Sequence, residues 1–427
     1  MSPPQRVKAL KPSSPFLKLS SDLVQNVLRR LDKSRDISSV CLCSRTLLGA
    51  GERVLYEAPV ATTFKNTEKL LKTLIDKPKL ALWVDDILLK ASGMKPSPLF
   101  LELCAKAIRL MHNITKLNVT SLPDVPALLG AHVLPNLTQC CISDRKSALP
   151  FLEANASTIE VLLLADNDKG PRGIDRKIEL PRLKRADLPL SSAPFVLPGT
   201  QATTVDLSVT SDPDKRPAEL KNFAFLAGVP ITSLTITSER LTSDVIPPLA
   251  RYTFRELQQL IFETTRPHTA AQRKRFFDTL EIQIALMRKV RTIMVPVPPG
   301  QARFPEPKDL DEMAAICERL SKRCPSLKLV SPGFNLQWKP YDGLWVPLTP
   351  AVDYDRYVDL IGLWTFKRMA RNPSMLNAML QEAKREDPTR VREFEESRGI
   401  KMRPLNVLRR AAEARILSTD WIEQIAT

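Results

Sequence analysis

Cysteine and histidine are the residue types that most readily hold metals or act as nucleophiles. In this chain no two cysteines stand at CxxC spacing, and no histidine has a second metal-ligating residue at the spacing of a metal site. The cysteines lie within apolar runs, which predicts buried, reduced thiols rather than disulfides. We therefore expect no metal site. The residues concerned are Cys41, Cys43, Cys104, Cys140, Cys141, Cys317, Cys324, His112, His132 and His268.

Motifs of known catalytic machinery are also missing from the sequence. It contains no GxSxG elbow, no HExxH and no kinase signature set, and no GxGxxG or GxxxxGK[ST]. The adjacent carboxylates Asp85 and Asp86, or Glu395 and Glu396, point to different sides of a strand or helix and are typical of solvated faces. We expect a protein that is not an enzyme and that needs no cofactor.

The formal net charge of +16 raises the question of nucleic-acid binding. Basic residues are spread along the whole chain, the densest cluster (Gln272 to Asp278) is short, and aromatic residues make up only 6%. This distribution favours a cationic surface, or a preference for acidic protein partners, over a nucleic-acid interface. No apolar run approaches the about 18 residues of a membrane span, and the N-terminus has no signal-peptide core. We expect a cytoplasmic or nuclear protein.

One apolar pattern, LxxLxL, recurs through the middle of the chain and predicts the strands of a repeat protein. Its copies follow one another at intervals of 19 to 34 residues, which bracket the usual leucine-rich repeat. The middle residues of the ten copies are Ile87, Leu117, Cys140, Leu162, Ala186, Val205, Leu234, Leu260, Ile293 and Leu327.

Between these strands the apolar spacing becomes helical, as in Leu99 to Met111 and Leu310 to Cys324. A strand and a helix in each unit predict an α/β fold in which an irregular leucine-rich-repeat solenoid has parallel strands. A doubly wound α/β domain is the alternative. The absent phosphate loops argue against it, although the asparagine ladder of the repeat is nearly absent too, with only Asn167 at the proper offset.

The segment from Leu17 to Arg45 predicts two short helices before this repeat region. Leu23, Val24, Val27, Leu28 and Leu31 recur at helical spacing. Ser20 is a suitable N-cap and Asp22 suits the helix dipole. We expect Asp36 to cap a second helix and a third helix to run through Leu55. A unit of this size must dock its apolar faces on the rest of the chain or on another protein.

This segment resembles an F-box. Leu19 and Leu23 match the opening of the family motif, Ser44 and Arg45 match its closing pair, and Arg53 to Val60 is similar to the ending common in fungal members. The departure is Ser20, where the family usually has proline. The resemblance implies that a Skp-type adaptor would contact Leu19, Leu23, Val27, Leu28, Leu31, Ile37, Val40 and Leu42.

Cys324 to Pro350 is similar to the closing strand and tryptophan-rich segment of fungal, mushroom-type F-box proteins with leucine-rich repeats. Trp338 and Trp345 flank a turn at Asp342 and Gly343, which predicts a hairpin that covers the last strand, with an aromatic ligand-binding notch as the alternative. We expect helices after Pro350, and docking of their first part near the two tryptophans.

The resemblance extends in outline from about Phe16 to Pro350. With the segments on either side of it, we expect four regions: a disordered tail (1–15), an F-box (16–60), the irregular solenoid (61–350) and a helical extension (351–427). The resemblance implies a substrate receptor of a Skp, cullin and F-box ubiquitin ligase that binds the adaptor, and through it the cullin scaffold. A scaffold without ligase function and a basic nucleic-acid-associated repeat protein remain alternatives. On the repeat geometry, an unknown target would contact Lys116, Asn118, Glu160, Arg185, Asp187, Thr235 and Gln259.

Overall fold

A computed structural model of the chain describes residues 19–31, 34–43, 45–61, 63–89, 96–165, 174–252, 256–296, 306–334, 336–341, 344–348 and 364. The predicted disordered tail (1–15) lies outside these residues, as does the predicted helical extension (351–427) apart from Trp364. Ser44, Asn167, Asp342 and Gly343 also lie outside them. In the part of the chain that is described, no helix combines the length and the apolar character needed to cross a membrane.

The chain divides into two compact units, residues 1–204 and 205–427. The first unit opens with helices and then alternates strands and helices. Its helices are α1 (Ser21–Leu28), α2 (Ser34–Cys43), α3 (Arg45–Glu57), α4 (Phe64–Asp76), α5 (Pro78–Ala81), α6 (Pro98–Leu110), α7 (Val125–Leu129), α8 (Leu149–Ala154) and α9 (Ala193–Val196). Its strands are β1 (Val60–Ala61), β2 (Asp86–Leu89), β3 (Lys116–Asn118), β4 (Gln139–Ser143), β5 (Val161–Ala165) and β6 (Arg185–Pro189).

The second unit follows the same alternation and closes with a hairpin. Strand β7 (Thr204–Ser208) begins at the boundary between the units. The helices are α10 (Arg216–Leu220), α11 (Ile246–Arg251), α12 (Ala270–Gln283) and α13 (Pro307–Arg323), and short 3-10 helices span Lys221–Leu226, Ser243–Val245 and Ile284–Leu286. The remaining strands are β8 (Ser233–Ser238), β9 (Gln259–Thr264), β10 (Thr292–Met294), β11 (Leu329–Ser331), β12 (Gln337–Tyr341) and β13 (Leu344–Leu348).

The fold is α/β, with 13 strands in the described residues, and within each unit the strands are hydrogen-bonded neighbours in the order of the sequence. In the first unit the pairs from β1 to β6 are all parallel. In the second unit the pairs from β8 to β11 are parallel, and β11, β12 and β13 are joined antiparallel. Parallel strands that follow one another in the chain require a crossover on each step, which the intervening helices and turns provide.

The strands lie at nine of the ten predicted copies of the apolar pattern. Their middle residues pair in register, from Ile87 through Leu117 to Ala186 in the first unit. The strand position predicted from the tenth copy is wrong by three residues, because Val330 and not Leu327 pairs with Ile293. Helix α13 continues to Arg323, so the strand after it begins too late for Leu327 to be the middle residue.

The core lies under the strand positions that the pattern marks as apolar, and the buried faces of helices such as α6 cover it. Helix α6 shows how the sequence forms such a layer. Ser97 caps it by accepting a hydrogen bond from the Phe100 amide at 3.2 Å, and Pro98 occupies the first turn, where it removes no needed donor. Its buried face includes Phe100, Cys104 and Ile108, and full burial of such side chains contributes about 1.5 to 3 kcal/mol each.

The closing hairpin is confirmed. Trp338 and Trp345 are both buried, so the alternative of an aromatic notch open to a ligand is wrong. The Trp345 indole donates a hydrogen bond to Ser321 Oγ at 3.1 Å on α13. Trp364 packs edge-to-face on Trp338 with 5.2 Å between ring centroids, and its indole donates to Asp311 Oδ1 at 2.9 Å. This residue lies where docking of the tail near Trp338 predicts.

Candidate functional site

The first candidate surface lies on helices α1 to α3. Ser20 caps α1 by accepting a hydrogen bond from the Leu23 amide at 3.4 Å, and Asp22 lies in the first turn, as predicted. The cap predicted at Asp36 is wrong, because α2 begins at Ser34 and Asp36 falls within its first turn.

These helices bury a small core of their own. Val24 and Leu28 of α1 pack with Leu47 and Ala50 of α3, and Leu31, Val40 and Val54 pack against this cluster. At the ends of the helices the Arg29 guanidinium pairs with the Glu57 carboxylate at 2.9 Å. This pair is partly exposed, so we expect at most a small electrostatic contribution from it.

The approach of α2 to α3 is close at one point. A Cβ on Gly51 would collide with the Sγ of Cys41, and it would also contact Ile37. Glycine at this position therefore lets the two helices pack, and Ile37 and Cys41 are buried between them.

The predicted adaptor-contacting residues thus divide into three groups. Leu28 is 1% exposed and Ile37 is also buried, so both hold the helices together and cannot touch a partner. Leu31 and Val40 are half-buried against the core. The exposed members are Leu19, Leu23, Val27 and Leu42, and Leu42 is 88% exposed.

Exposed apolar side chains of this kind form a face on α1, because Leu23 and Val27 are one helical turn apart. Leu48 of α3, which the sequence reasoning did not assign to the adaptor site, is exposed as well. Leu42 is on α2, directly before Cys43, whose thiol is exposed. The arrangement offers apolar contacts without a nucleophile held against an acid or base.

The second candidate surface is the outer strand face of the first unit. We define it by two rows of residues in register across β2 to β6: Asp86, Lys116, Gln139, Val161 and Arg185 in one, and Leu88, Asn118, Cys141, Leu163 and Asp187 in the other. Side chains at these positions alternate with the buried middle residues, so they point away from the helix-covered core.

Four of the predicted target-contacting residues lie in these rows, and all four interact with neighbouring groups. Lys116 is 3.7 Å from Asp86 in an exposed ion pair. Asn118 Oδ1 accepts hydrogen bonds from the amide and hydroxyl of Thr120 at 3.2 and 3.0 Å. Arg185 is exposed and Asp187 is half-buried, and both interact with neighbouring groups.

Glu160 lies just before β5 and outside the two rows. Its carbonyl accepts hydrogen bonds from the amides of Lys184 and Arg185, and its carboxylate pairs with Lys184 Nζ at 2.7 Å. It therefore marks the edge of the outer strand face.

The two remaining predicted residues lie in the second unit. The prediction that Thr235 is exposed is wrong: only 8% of it is accessible, because this short side chain lies beside Ile261 in register within a six-residue strand. Gln259 is half-buried, and its Oε1 accepts a hydrogen bond from Ser233 Oγ at 3.3 Å.

The outer strand face carries a shallow cavity of about 330 Å³. Exposed Val60 and Leu88 contribute apolar surface, and Lys116 and Asp86 supply opposite charges. Sequence reasoning missed Val60 and Leu88. Both could have been assigned to this surface from the sequence, because each is an apolar residue at a strand position that the repeat pattern leaves outside the core. Such a cavity can take an apolar side chain beside a polar contact.

Potential metal ligands and nucleophiles are present in the described residues as free thiols, carboxylates and imidazoles. No group of three or more His, Cys, Asp or Glu residues there could hold a metal ion. All seven cysteines are free thiols, and Cys43 is the exposed exception to the predicted burial. Burial raises the pKa of Cys104 to about 12 and also raises that of Cys140, with the neighbouring Cys141 adding to the effect. These thiols remain protonated and inert at neutral pH.

The two surfaces therefore offer protein contacts: an apolar helical face and a strand face with mixed charge. Each is built by elements that are well packed on their other side. Neither a protein-family model nor a curated protein sequence matches the chain.

Proposed function

We propose that this protein is a substrate-recognition subunit of a Skp, cullin and F-box ubiquitin ligase. The observation that carries the proposal is the set of exposed leucine and valine side chains on α1 and α2, next to a three-helix core that is already complete without them. The resemblance of this segment to an F-box supports it. In the proposal, α1 to α3 bind a Skp-type adaptor and the outer strand face binds a target protein.

Apolar exposure on these helices costs free energy in the absence of a partner. Burying a leucine or valine side chain is worth about 1.5 to 3 kcal/mol. Because Leu23, Val27 and Leu42 are exposed, the free protein does not gain most or much of this burial free energy. An adaptor groove that covers them would recover it, and the helices themselves need no rearrangement because their own core holds them.

In such a ligase the chain would form and break no covalent bond. Other subunits would transfer ubiquitin, and this protein would raise the effective concentration of a target lysine near them. The absence of catalytic motifs in the sequence agrees with this role. The proposed place of action is the cytoplasm or the nucleus.

Binding of the full chain to a purified Skp-type adaptor tests the proposal. We expect a Leu23→Asp, Leu42→Asp double variant to lose affinity by about 30-fold or more, because central interface residues cost about 2 kcal/mol or more when lost. The measurement is isothermal titration calorimetry, with circular dichroism to verify folding.

The matched control is Leu99→Asp on α6, where the wild-type leucine is 77% exposed but lies outside the three helices. This variant should bind the adaptor like the wild type. If the wild-type chain fails to bind any Skp-type adaptor, or if the double variant binds unchanged, the ligase proposal is wrong. A scaffold without ligase function would then be the better account.

The target surface requires a separate test, because the target is unknown. Affinity purification and mass spectrometry should compare the wild type with a Lys116→Glu, Arg185→Glu variant of the outer strand face. We expect target proteins to be depleted with the variant while the adaptor is retained. Loss of the adaptor as well would indicate misfolding, and an unchanged set of proteins would place target binding elsewhere.

A further inference from the structure

A groove in the second unit is lined by none of the residues assigned to the two proposed surfaces. It has a volume of about 620 Å³, within the range of protein ligand clefts. Its walls come from α10, α11 and the end of α12 and from the 3-10 segments Lys221–Leu226 and Ile284–Leu286. The groove is therefore formed by helices and turns, and no strand residue assigned to target binding lines it.

The lining of the groove is apolar with a basic rim. Three prolines, Leu220, Leu286 and Tyr252 form most of it, and Leu286 is exposed. The charged lining residues are Lys221 and Arg251, and none of the described residues that line the groove is a carboxylate. Both cations are exposed and neither makes an ion pair within the described residues.

The type of partner follows from the groups that the groove presents. Pro217, Pro247 and Pro248 have no backbone N–H, and the lining includes no strand edge, so an extended peptide would find little backbone pairing. A helix has already paired its own backbone and needs only apolar and charged side-chain contacts. Tyrosine and arginine, both present here, are the residue types that dominate interface energies.

We propose that this groove binds an acidic amphipathic helix of a partner protein. The apolar stripe of that helix would lie against Leu220, Tyr252 and Leu286, and its carboxylates would pair with Lys221 and Arg251. Charge complementarity carries the choice of an acidic partner: both charged residues among the described lining residues are cationic, and the chain as a whole carries a formal charge of +16. The partner class is independent of the adaptor and of the target on the outer strand face.

The test uses two labelled synthetic helices with the same leucines at i, i+3, i+4 and i+7. One carries glutamate and the other lysine at the flanking positions, and each carries a photo-crosslinker at its centre. Fluorescence anisotropy with the full chain should show saturable binding of the acidic helix, at least about tenfold tighter than that of the basic one. Crosslinks should map to residues 217–221, 247–252 or 283–286.

A Lys221→Glu, Arg251→Glu variant should weaken binding of the acidic helix by about tenfold or more. The matched control, Arg275→Glu with Lys328→Glu, makes the same charge change at exposed positions outside the groove and should have little effect. Equal weakening by both variants would show general charge attraction and overturn the proposal. So would crosslinks outside the groove, or no saturable binding of the acidic helix. A concentration-dependent dimer in sedimentation that Leu286→Glu abolishes would instead make a second copy the occupant, and it too would overturn the proposal.

Discussion

Ser192 Oγ donates a 2.7 Å hydrogen bond to the carboxylate Oδ2 of Asp144, a buried pair whose members are 48 residues apart in the sequence. The other oxygen of Asp144 accepts a hydrogen bond from the Ile174 amide at 3.2 Å. The carboxylate thus ties together the loop after β4, the segment around Ile174 and the turn before α9. A charge in this position stays buried only while such donors surround it.

We expect Ser192→Ala to lower the free energy of unfolding by about 1 to 3 kcal/mol, because the buried carboxylate loses a charge-assisted hydrogen bond. Urea unfolding followed by circular dichroism measures this. The control is Ser191→Ala, which changes an exposed neighbour and should alter stability by less than about 0.5 kcal/mol. Equal stability of the two variants would contradict the structural role given to Asp144.

Leu28→Ala and Leu42→Ala separate the core of the N-terminal helices from their exposed face. Leu28 packs with Val24, Leu47 and Ala50, so its truncation should destabilise these helices by about 2 to 5 kcal/mol. Leu42 contributes little burial, so its truncation should leave stability nearly unchanged. Hydrogen exchange of the α1 to α3 amides measures both effects. Similar protection in the two variants would show that the division between core and face is wrong.

Arg273→Met tests a buried guanidinium with few partners. Arg273 lies over the Phe334 ring at 5.2 Å. Among the described residues it contacts the Glu312 carboxylate at 3.7 Å, and its Nε has no hydrogen-bond acceptor there. Its desolvation penalty is poorly compensated, so we expect Met to be neutral within about 1 kcal/mol or stabilising in urea unfolding. Glu312→Gln should lower the free energy of unfolding by more than Arg273→Met does, because it leaves the buried Arg273 charge without its carboxylate partner. A loss above about 2 kcal/mol in Arg273→Met would contradict this account.

Stability should fall at mildly acidic pH. Burial, and then the nearby Arg273 charge, hold the pKa of His268 below its ordinary value; burial, Arg109 and His112 do the same for His132. Below the ordinary pKa of about 6.5 the unfolded chain binds protons that the folded chain does not, so acidification favours unfolding until the lowered pKa values are passed.

The double variant His132→Gln, His268→Gln should therefore lose less stability than the wild type between pH 7 and pH 5. Urea unfolding of the wild type and the double variant at several pH values provides the comparison. An unchanged pH dependence in the double variant would mean that other groups cause the acid sensitivity.

The sequence predicts most strands because their apolar residues alternate with a period of two, and it predicts α6 and α13 from their helical spacing. The prediction fails at the last parallel strand, β11, because the apolar residues Leu327, Leu329 and Val330 are compatible with two registers of pairing with β10. The end of α13 selects between them, and a local pattern does not contain that information.

The candidate site shows the same limit. Val24 and Leu28, and likewise Leu23 and Val27, form apolar pairs one turn apart on α1, so the sequence cannot say which pair faces the interior. Packing against Leu47 and Ala50 of α3 decides it. The prediction that Thr235 is exposed fails for a similar reason, because the exposure of this side chain depends on the size of its cross-strand neighbour.

The order of the strands also has a kinetic consequence. Within each unit every strand from β1 to β6, or from β8 to β13, pairs with the next one along the chain. Each new ladder therefore closes a loop of at most a few dozen residues, a cost that grows only slowly with loop length. A nascent chain can add one strand at a time to an existing edge while the ribosome is still making the rest.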